Sequence, residues 1–403
     1  MNVHDRGEYS AAASALGYLY QIRYALSESL RRLRKAEQFV LSIETLDDVV
    51  FEVEGEAVEI LQTKHHLNRG ANLTDGSPDL WKTLRIWCEA ELGKRSPENA
   101  FYFLITTASA VEGSAAYYLK QSIQARDNIK AMERLNATVN SSTSATNRQA
   151  YDAFKLLTEA QRANLLDRVF IFDASPSIGD LGEQIREDLF FAVEKRFLNS
   201  FLQRLEGWWF FRVIQALQDD KLKLILSEEL ESETSNLREQ FKLENLPIDL
   251  DILSASVDAS GYQDRVFVEQ LRLIEIGAPR IVHAIKNYFR AFEQRSRWVR
   301  EDLLFVGELG LYENRLMEEW DVLFQQMRDE LDEDATEDEM LRSAQTLYKW
   351  VETAQHIQIR PGVTEPFVSR GTYHMLSDAQ RVGWHTEFSH RVKRILDAKE
   401  MIQ

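Results

Sequence analysis

Apolar positions recur at helical spacing over residues 11–36, where Leu16, Leu19, Tyr20, Tyr24, Leu26, Leu30 and Leu33 form one stripe, and this predicts an amphipathic helix. The period then shortens. FVLSIET (39–45) and DVVFEVE (48–54) read as two short strands, Gly55-Glu56 as a hairpin turn, and AVEILQTKHH (57–66) as a third strand. Helical spacing returns in DLWKTLRIWCEAELG and stops at Gly93, and FYFLITTA (101–108) suits a buried central strand.

Beyond residue 113 the pattern is helical, interrupted by the Ser/Thr-rich NATVNSSTSATN (136–147), which predicts a loop. VFIFDASPSIGDL then reads as a strand leaving through a proline-containing turn into a helix. From residue 205 onward nearly everything is helical, and six of the eight tryptophans fall there at helical spacing from other apolar residues. That predicts a packed helical domain, not a cofactor box. No internal repeat or long heptad run is present. Three regions follow: 1–120, 121–204 as a connector completing the first, and 205–403.

Composition narrows the function classes. The 403 residues give room for two or three cores, and no apolar run approaches the roughly 20 residues of a membrane span. No signal peptide is visible, and the cytoplasm is the expected compartment. Cys88 stands alone, which excludes an internal disulfide and a cysteine-based zinc site. The net charge of -17 argues against indiscriminate nucleic-acid binding, but eight acids and no base sit in DELDEDATEDE (329–339). The plain reading of that run is a solvated loop between helices. The remainder is only mildly acidic, with basic clusters such as Arg31, Arg32, Arg34 and Lys35.

Candidate chemistry lies in the strands. Residues two apart share a face, so Gln62 and Lys64 project together beside Ile60. Antiparallel pairing through the hairpin sets Asp48 across from about Gln62, with Glu44 and Asp47 close by. A carboxylate, a polar Gln and a lysine on adjacent strands form the constellation of metal-dependent phosphodiester hydrolysis. Asp48 would hold Mg²⁺ or Mn²⁺, with Glu44 and less directly Asp47 as further ligands. Gln62 positions, and Lys64 is the transition-state cation. The plainer reading of an isolated match is a lysine guarding an edge strand. The order helix, strand, acidic strand, hairpin, QxK strand, helix, strand favours chemistry, because it is the core order of the PD-(D/E)xK fold. The expected fold class is α+β: an N-terminal restriction-endonuclease-like α/β/α domain followed by a mainly α-helical C-terminal domain.

GYLYQIRYAL, IETLDDVVFE, LQTKHH and DLWKTLRIW resemble the double-stranded DNA nuclease domain of effectors in cyclic-oligonucleotide anti-phage systems and of the nuclease subunit of Lamassu-type systems, which belong to the ABC three-component class. NYFRAFEQRSRWVRE, ELGLYENRLMEEW and RGTYHMLSDAQRVGWH resemble the tail those subunits share. The resemblance covers most of the chain and matches 113–200 least. It implies a nuclease effector working beside an SMC-like ABC ATPase and a small third subunit, docked through its helical C-terminal domain and cutting double-stranded DNA after release and self-association. A homo-oligomer is the expected active species.

Other residues carry less. His65 and His66 are adjacent and point to opposite faces of a strand, so they cannot chelate together. His66 shares the face of Lys64 and is a candidate DNA contact, though a plain strand-end histidine is the better reading. His385 and His390 lack acidic or cysteine company at ligand spacing, which favours packing or docking. No phosphate-binding glycine loop, GxSxG or dinucleotide fingerprint occurs. The rival function is a catalytically inactive adaptor that keeps the nuclease-like fold to hold DNA or a partner.

Overall fold

The computed structural model describes residues 5–53, 56–66, 70–95, 97, 99–353 and 357–400. The first helix, α1 (Asp5–Arg34), buries Tyr20, Leu26 and Leu30 of the expected stripe. The strands β1 (Val40–Ile43), β2 (Val49–Val53) and β3 (Glu56–Lys64) follow as an antiparallel meander, with Val49 opposite Leu61 and Val50 opposite Ile60. Gly55 of the expected turn lies outside the described residues, and Glu56 already belongs to β3. After β4 (Asn72–Leu73) and α2 (Pro78–Leu92), β5 (Phe101–Thr106) runs parallel to β3 with Leu61 beside Phe103. Next come β6 (Ser109–Ala110), α3 (Ala115–Tyr118), α4 (Asn128–Ser141), α5 (Arg148–Leu156), α6 (Glu159–Arg168) and β7 (Val169–Phe172), the last parallel to β5.

The six-stranded sheet has the order β7-β5-β3-β2-β1-β8, where β8 (Leu224–Leu226) pairs antiparallel with β1. β3 is therefore the junction between an antiparallel half and a parallel half. One sheet face, with Val50, Ile60, Tyr102 and Leu104, packs on Trp81, Trp87 and Phe154 of the helices that follow. On the other face the Arg32 guanidinium of α1 lies 4.0 Å from the centre of the Phe51 ring.

Three expectations change. Residues 136–141 are the end of α4, not loop, because Leu135 and Val139 are buried. The Thr138 and Ser141 hydroxyls donate to the Arg134 and Ala137 carbonyls one turn back, so these polar side chains are satisfied within the helix. The strand β8 was hidden in a region read as helical, since its three residues are too short to show alternation. The third change is the boundary at 205.

The chain divides into two compact units: residues 1–192 with 202–236, and residues 193–201 with 237–403. Residues 202–236 join the first unit for a physical reason. β8 completes the sheet edge, and buried Trp209 of α8 (Leu198–Gln218) donates its indole N–H to the Ile22 carbonyl of α1 at 2.9 Å. Before α8, the first unit also holds α7 (Ile178–Asp188), capped by Ser177.

The second unit is helical. After α9 (Ser227–Gln240), which leads into it, come α10 (Leu250–Ser254), α11 (Val266–Leu273), α12 (Ala278–Arg300), α13 (Glu308–Asp329), α14 (Glu337–Thr353), α15 (Pro366–Asp378) and α16 (Phe388–Glu400). α12 and α15 touch backbone to backbone at Gly371, where an added Cβ would lie 2.1 Å from the Asn287 carbonyl oxygen. Tryptophans tie loops to helices: Trp298 donates to the Pro247 carbonyl at 2.7 Å and Trp320 to the Gly383 carbonyl at 2.8 Å. The acidic run begins as the end of α13 and finishes as the start of α14, where Thr336 and Glu339 cap each other. Among the described residues no helix is long and apolar enough to cross a membrane.

Candidate active site

A cleft of about 550 Å³ opens between α1 and α2 at the edge of the sheet where β1 ends, β2 begins and β3 ends. Ser14, Gly17 and Gln21 of α1 line one side, Asp79 and Lys82 of α2 the other, and Glu44, Asp48, Thr63 and Lys64 line it from the strand ends. Strand pairing explains the convergence. Val49 opposite Leu61 carries Asp48 to the level of Gln62, as the hairpin register predicts.

Asp48 is held firmly. Its Oδ2 accepts the Thr63 backbone N–H at 2.8 Å and the Thr63 hydroxyl at 2.9 Å, which leaves Oδ1 toward other partners. From the far side, the buried Gln21 amide donates to the Asp48 carbonyl oxygen at 2.5 Å and also hydrogen-bonds the Glu44 carboxylate. Glu44 sits in the left-handed region at φ 56°, a costly conformation for a side chain with a Cβ. Its own N–H donates to the Asp48 carbonyl at 3.1 Å, closing the β1–β2 turn. Desolvation raises the Glu44 pKa, with the Asp48 charge adding to the effect while Gln21 and Lys64 oppose it. Lys64 forms no ion pair among the described residues.

Two neighbours have other roles. Asp47 points away from the cleft, accepting the Trp87 indole N–H at 2.8 Å and the Asp48 backbone N–H at 3.0 Å. Burial pushes its carboxyl up to about 7, with the Asp48 charge adding to the effect. That placement removes Asp47 from the expected ligand set, because a carboxylate buried against an indole is not presented to the cleft. Gln62 shares the α2 side with Ile60, is 3% exposed and does not line the cleft. Its Oε1 is buried without a hydrogen-bond partner.

The histidines are occupied within the chain. His66 Nε2 lies 3.1 Å from Asp79 Oδ2, and this partner holds the Asp79 carboxyl below its usual range. His66 is thus engaged with α2. His65 lies tilted against Tyr20 with ring centres 4.9 Å apart. His385 is buried and sits 3.6 Å from Glu337, a packing role. The structure therefore brings Asp48, Glu44 and Lys64 together, keeps Gln62 just behind them, and sets Asp47 and His66 aside.

Gln21 and Thr63 were missed from the sequence. Gln21 is a polar residue on an otherwise apolar stretch of α1, which is a signal for a buried positioning group. Thr63 lies between Gln62 and Lys64, and strand alternation alone assigns it to the opposite face.

An oxygen-ligated ion fits the donor types that the cleft presents, since Asp48 Oδ1 and the Glu44 carboxylate are oxygens. Among the described residues no three His, Cys, Asp or Glu side chains gather closely enough to hold a metal by themselves. Water would have to complete any such shell.

Residues 267–392 match the family model of C-terminal domain 7 of the ABC-three component (ABC-3C) systems. That stretch is similar to a C-terminal domain of these systems. It contains all three tail motifs that pointed to this class and lies wholly within the second unit. No curated protein matches the chain. Among solved structures it is similar to the Acinetobacter baumannii Cap4 SAVED/CARF-domain containing receptor, with 15% identity, a TM-score of 0.32, and 68% of this chain and 60% of that chain covered. The corresponding Moraxella osloensis Cap4 receptor gives 12% identity, a TM-score of 0.33 and coverage of 69% and 68%. The chain thus spans 60% of the length of the first of these. A likeness of that extent has no consequence for the activity of either unit.

Proposed function

We propose that the chain is the DNA-cutting subunit of an ABC-three component anti-phage system of the Lamassu type, a Mg²⁺-dependent (or Mn²⁺-dependent) endonuclease acting on double-stranded DNA at the cleft beside β3. The observation that carries this reading is Lys64, unpaired among the described residues, in one cleft with the fixed carboxylate of Asp48 and with Glu44. The element order around the cleft supports it, being that of the PD-(D/E)xK core. The ABC-three component domain supports the system, with an SMC-like ATPase and a small third subunit as partners.

In this reading Asp48 and Glu44 would hold the ion, which would supply charge for the phosphate and a more acidic bound water, and Gln62 behind them is a positioning group. Thr63 keeps Asp48 in one rotamer, and Gln21 holds the Asp48 backbone carbonyl and the Glu44 carboxylate, so the free Asp48 oxygen needs no reorganisation when substrate arrives. Lys64 places an ammonium against the non-bridging phosphate oxygens as negative charge builds in the transition state, and orients the attacking water. Lys82 on the opposite wall adds positive charge for the backbone of the duplex. Self-association answers the remaining difficulty: one site cuts one strand, and a chain of net charge -17 attracts DNA weakly as a single copy.

The second reading, an inactive adaptor, is favoured by one observation. Position 62 is a glutamine and not an acid, and no three metal-binding side chains of the His, Cys, Asp or Glu type gather among the described residues. Plasmid cleavage with the assembled partners separates the two. Nicking and linearisation that stop with EDTA and disappear in Asp48→Asn support the enzyme. Undiminished DNA retention with no cleavage under any divalent ion supports the adaptor.

A further inference from the structure

A pocket of about 250 Å³ lies among α12, α14 and α15 within the second unit, and its lining is rich in nitrogen. Helical spacing builds it. Arg280, His283 and Asn287 fall at i, i+3 and i+7 on one face of α12, while Arg370 and His374 fall at i and i+4 on α15. The close contact at Gly371 brings those two faces together, since any larger residue there would meet the Asn287 carbonyl.

The charges in the pocket do not cancel. Glu352 of α14 is its one carboxylate, and Arg280 takes it with two hydrogen bonds, at 3.1 and 2.7 Å. Arg370 is left over. It has no ion pair or hydrogen bond among the described residues, and its Nε is buried without a partner. His374 is 2% exposed, fixed between the rings of Phe267 and Tyr348, and its Nδ1 also lacks a partner. Burial pushes the imidazole down to about 3, so the ring is neutral and carries one N–H. Arg370 is part-buried, and its unpartnered Nε together with the orphaned His374 nitrogen leaves hydrogen-bonding capacity that a bound group would satisfy.

We infer that this pocket binds the phosphate group of a small molecule, with Arg370 as the charged anchor, buried His374 as a neutral partner from below, and His283 and Asn287 closing the rim. The donors come from two helices and from several directions. A tetrahedral anion with several free oxygens accepts from all of them, whereas a planar carboxylate is saturated by one guanidinium fork. The volume admits orthophosphate or a compact organic phosphate, and falls below the usual range for larger ligands.

The test is titration calorimetry on the full chain with orthophosphate, adenosine monophosphate and acetate, with thermal unfolding alongside. The expected result is saturable binding of a phosphate, weakened about tenfold or more in Arg370→Gln, the usual loss for a charge-assisted contact. Tighter binding of adenosine monophosphate than of orthophosphate identifies an organic phosphate as the occupant, and the reverse identifies the free ion. Should Arg370→Gln fail to fold, His283→Ala at the exposed rim keeps the test open, with a several-fold loss expected. The inference is overturned if neither phosphate saturates, if acetate binds as well as phosphate, or if the folded variants bind phosphate as the parent does.

Discussion

The cleft beside β3 and the pocket beside α15 are both polar hollows lined by mixed charges, but they are built by different means. In the cleft the chemistry comes from positions 44–64, brought together by one hairpin and its register, and each acid has a partner that fixes it: Thr63 for Asp48, Gln21 for Glu44. In the pocket the groups come from residues as far apart as 280 and 374, on helix faces that pack closely at Gly371, and the key base has no partner among the described residues. A site made from a strand pair depends on register. A site made from helix faces depends on how closely two backbones approach.

That difference can be broken from either side. The largest effect is expected from Trp209→Ala, which empties the site of a fully buried indole and removes its hydrogen bond to the Ile22 carbonyl, at a cost of ~3–5 kcal/mol to the first unit. The half-exposed neighbour Phe210→Ala should cost under about 1 kcal/mol by the same denaturant titration. Equal costs would mean that α8 does not belong to the first core. Gly371→Ala is next, because the methyl would overlap backbone on α12, and overpacking of this kind costs ~1–3 kcal/mol. Phosphate binding should fall with it. An alanine variant with parental stability would show that the helices have room to part.

The smallest effect is a pH dependence. The Asp47 carboxyl is raised to about 7 in the folded chain against an ordinary value of 3.8, so between these values the native state binds more protons than the unfolded state. Its contribution to stability therefore falls as pH rises through that window and is constant above it. Asp47→Asn keeps an acceptor for the Trp87 indole and removes the titration. Its stability advantage over the parent should grow from about pH 4 to about pH 7 and then level off. A flat difference across the window would place the proton elsewhere.

Much of the first unit was legible because strands declare themselves by period. The meander, the parallel fifth strand and the level of Asp48 against Gln62 all follow from alternation and one turn. What alternation could not supply was the fate of neighbours: Asp47 and Asp48 are adjacent in sequence, yet one is buried on Trp87 and the other faces the cleft. Gln62 was expected in the site and lies just behind it, a matter of depth and not of face. β8 was invisible because its partner is nearly two hundred residues away, at β1. In the second unit the helices and their tryptophans were readable, but the pocket was not, since Arg370 and His374 acquire meaning only when Gly371 brings α12 against them.

The central claim is that the β3 cleft hydrolyses phosphodiester bonds with Lys64 as its cation. The direct measurement is the single-turnover rate of plasmid cleavage in Mg²⁺ for the parent, Lys64→Ala and Lys82→Ala, each checked for folding by thermal unfolding. Removal of a transition-state charge predicts a loss of ~10²–10³ or more for Lys64→Ala. Lys82→Ala should weaken DNA binding and leave the bound rate near the parent's. A folded Lys64→Ala that cuts at the parental rate would contradict the account.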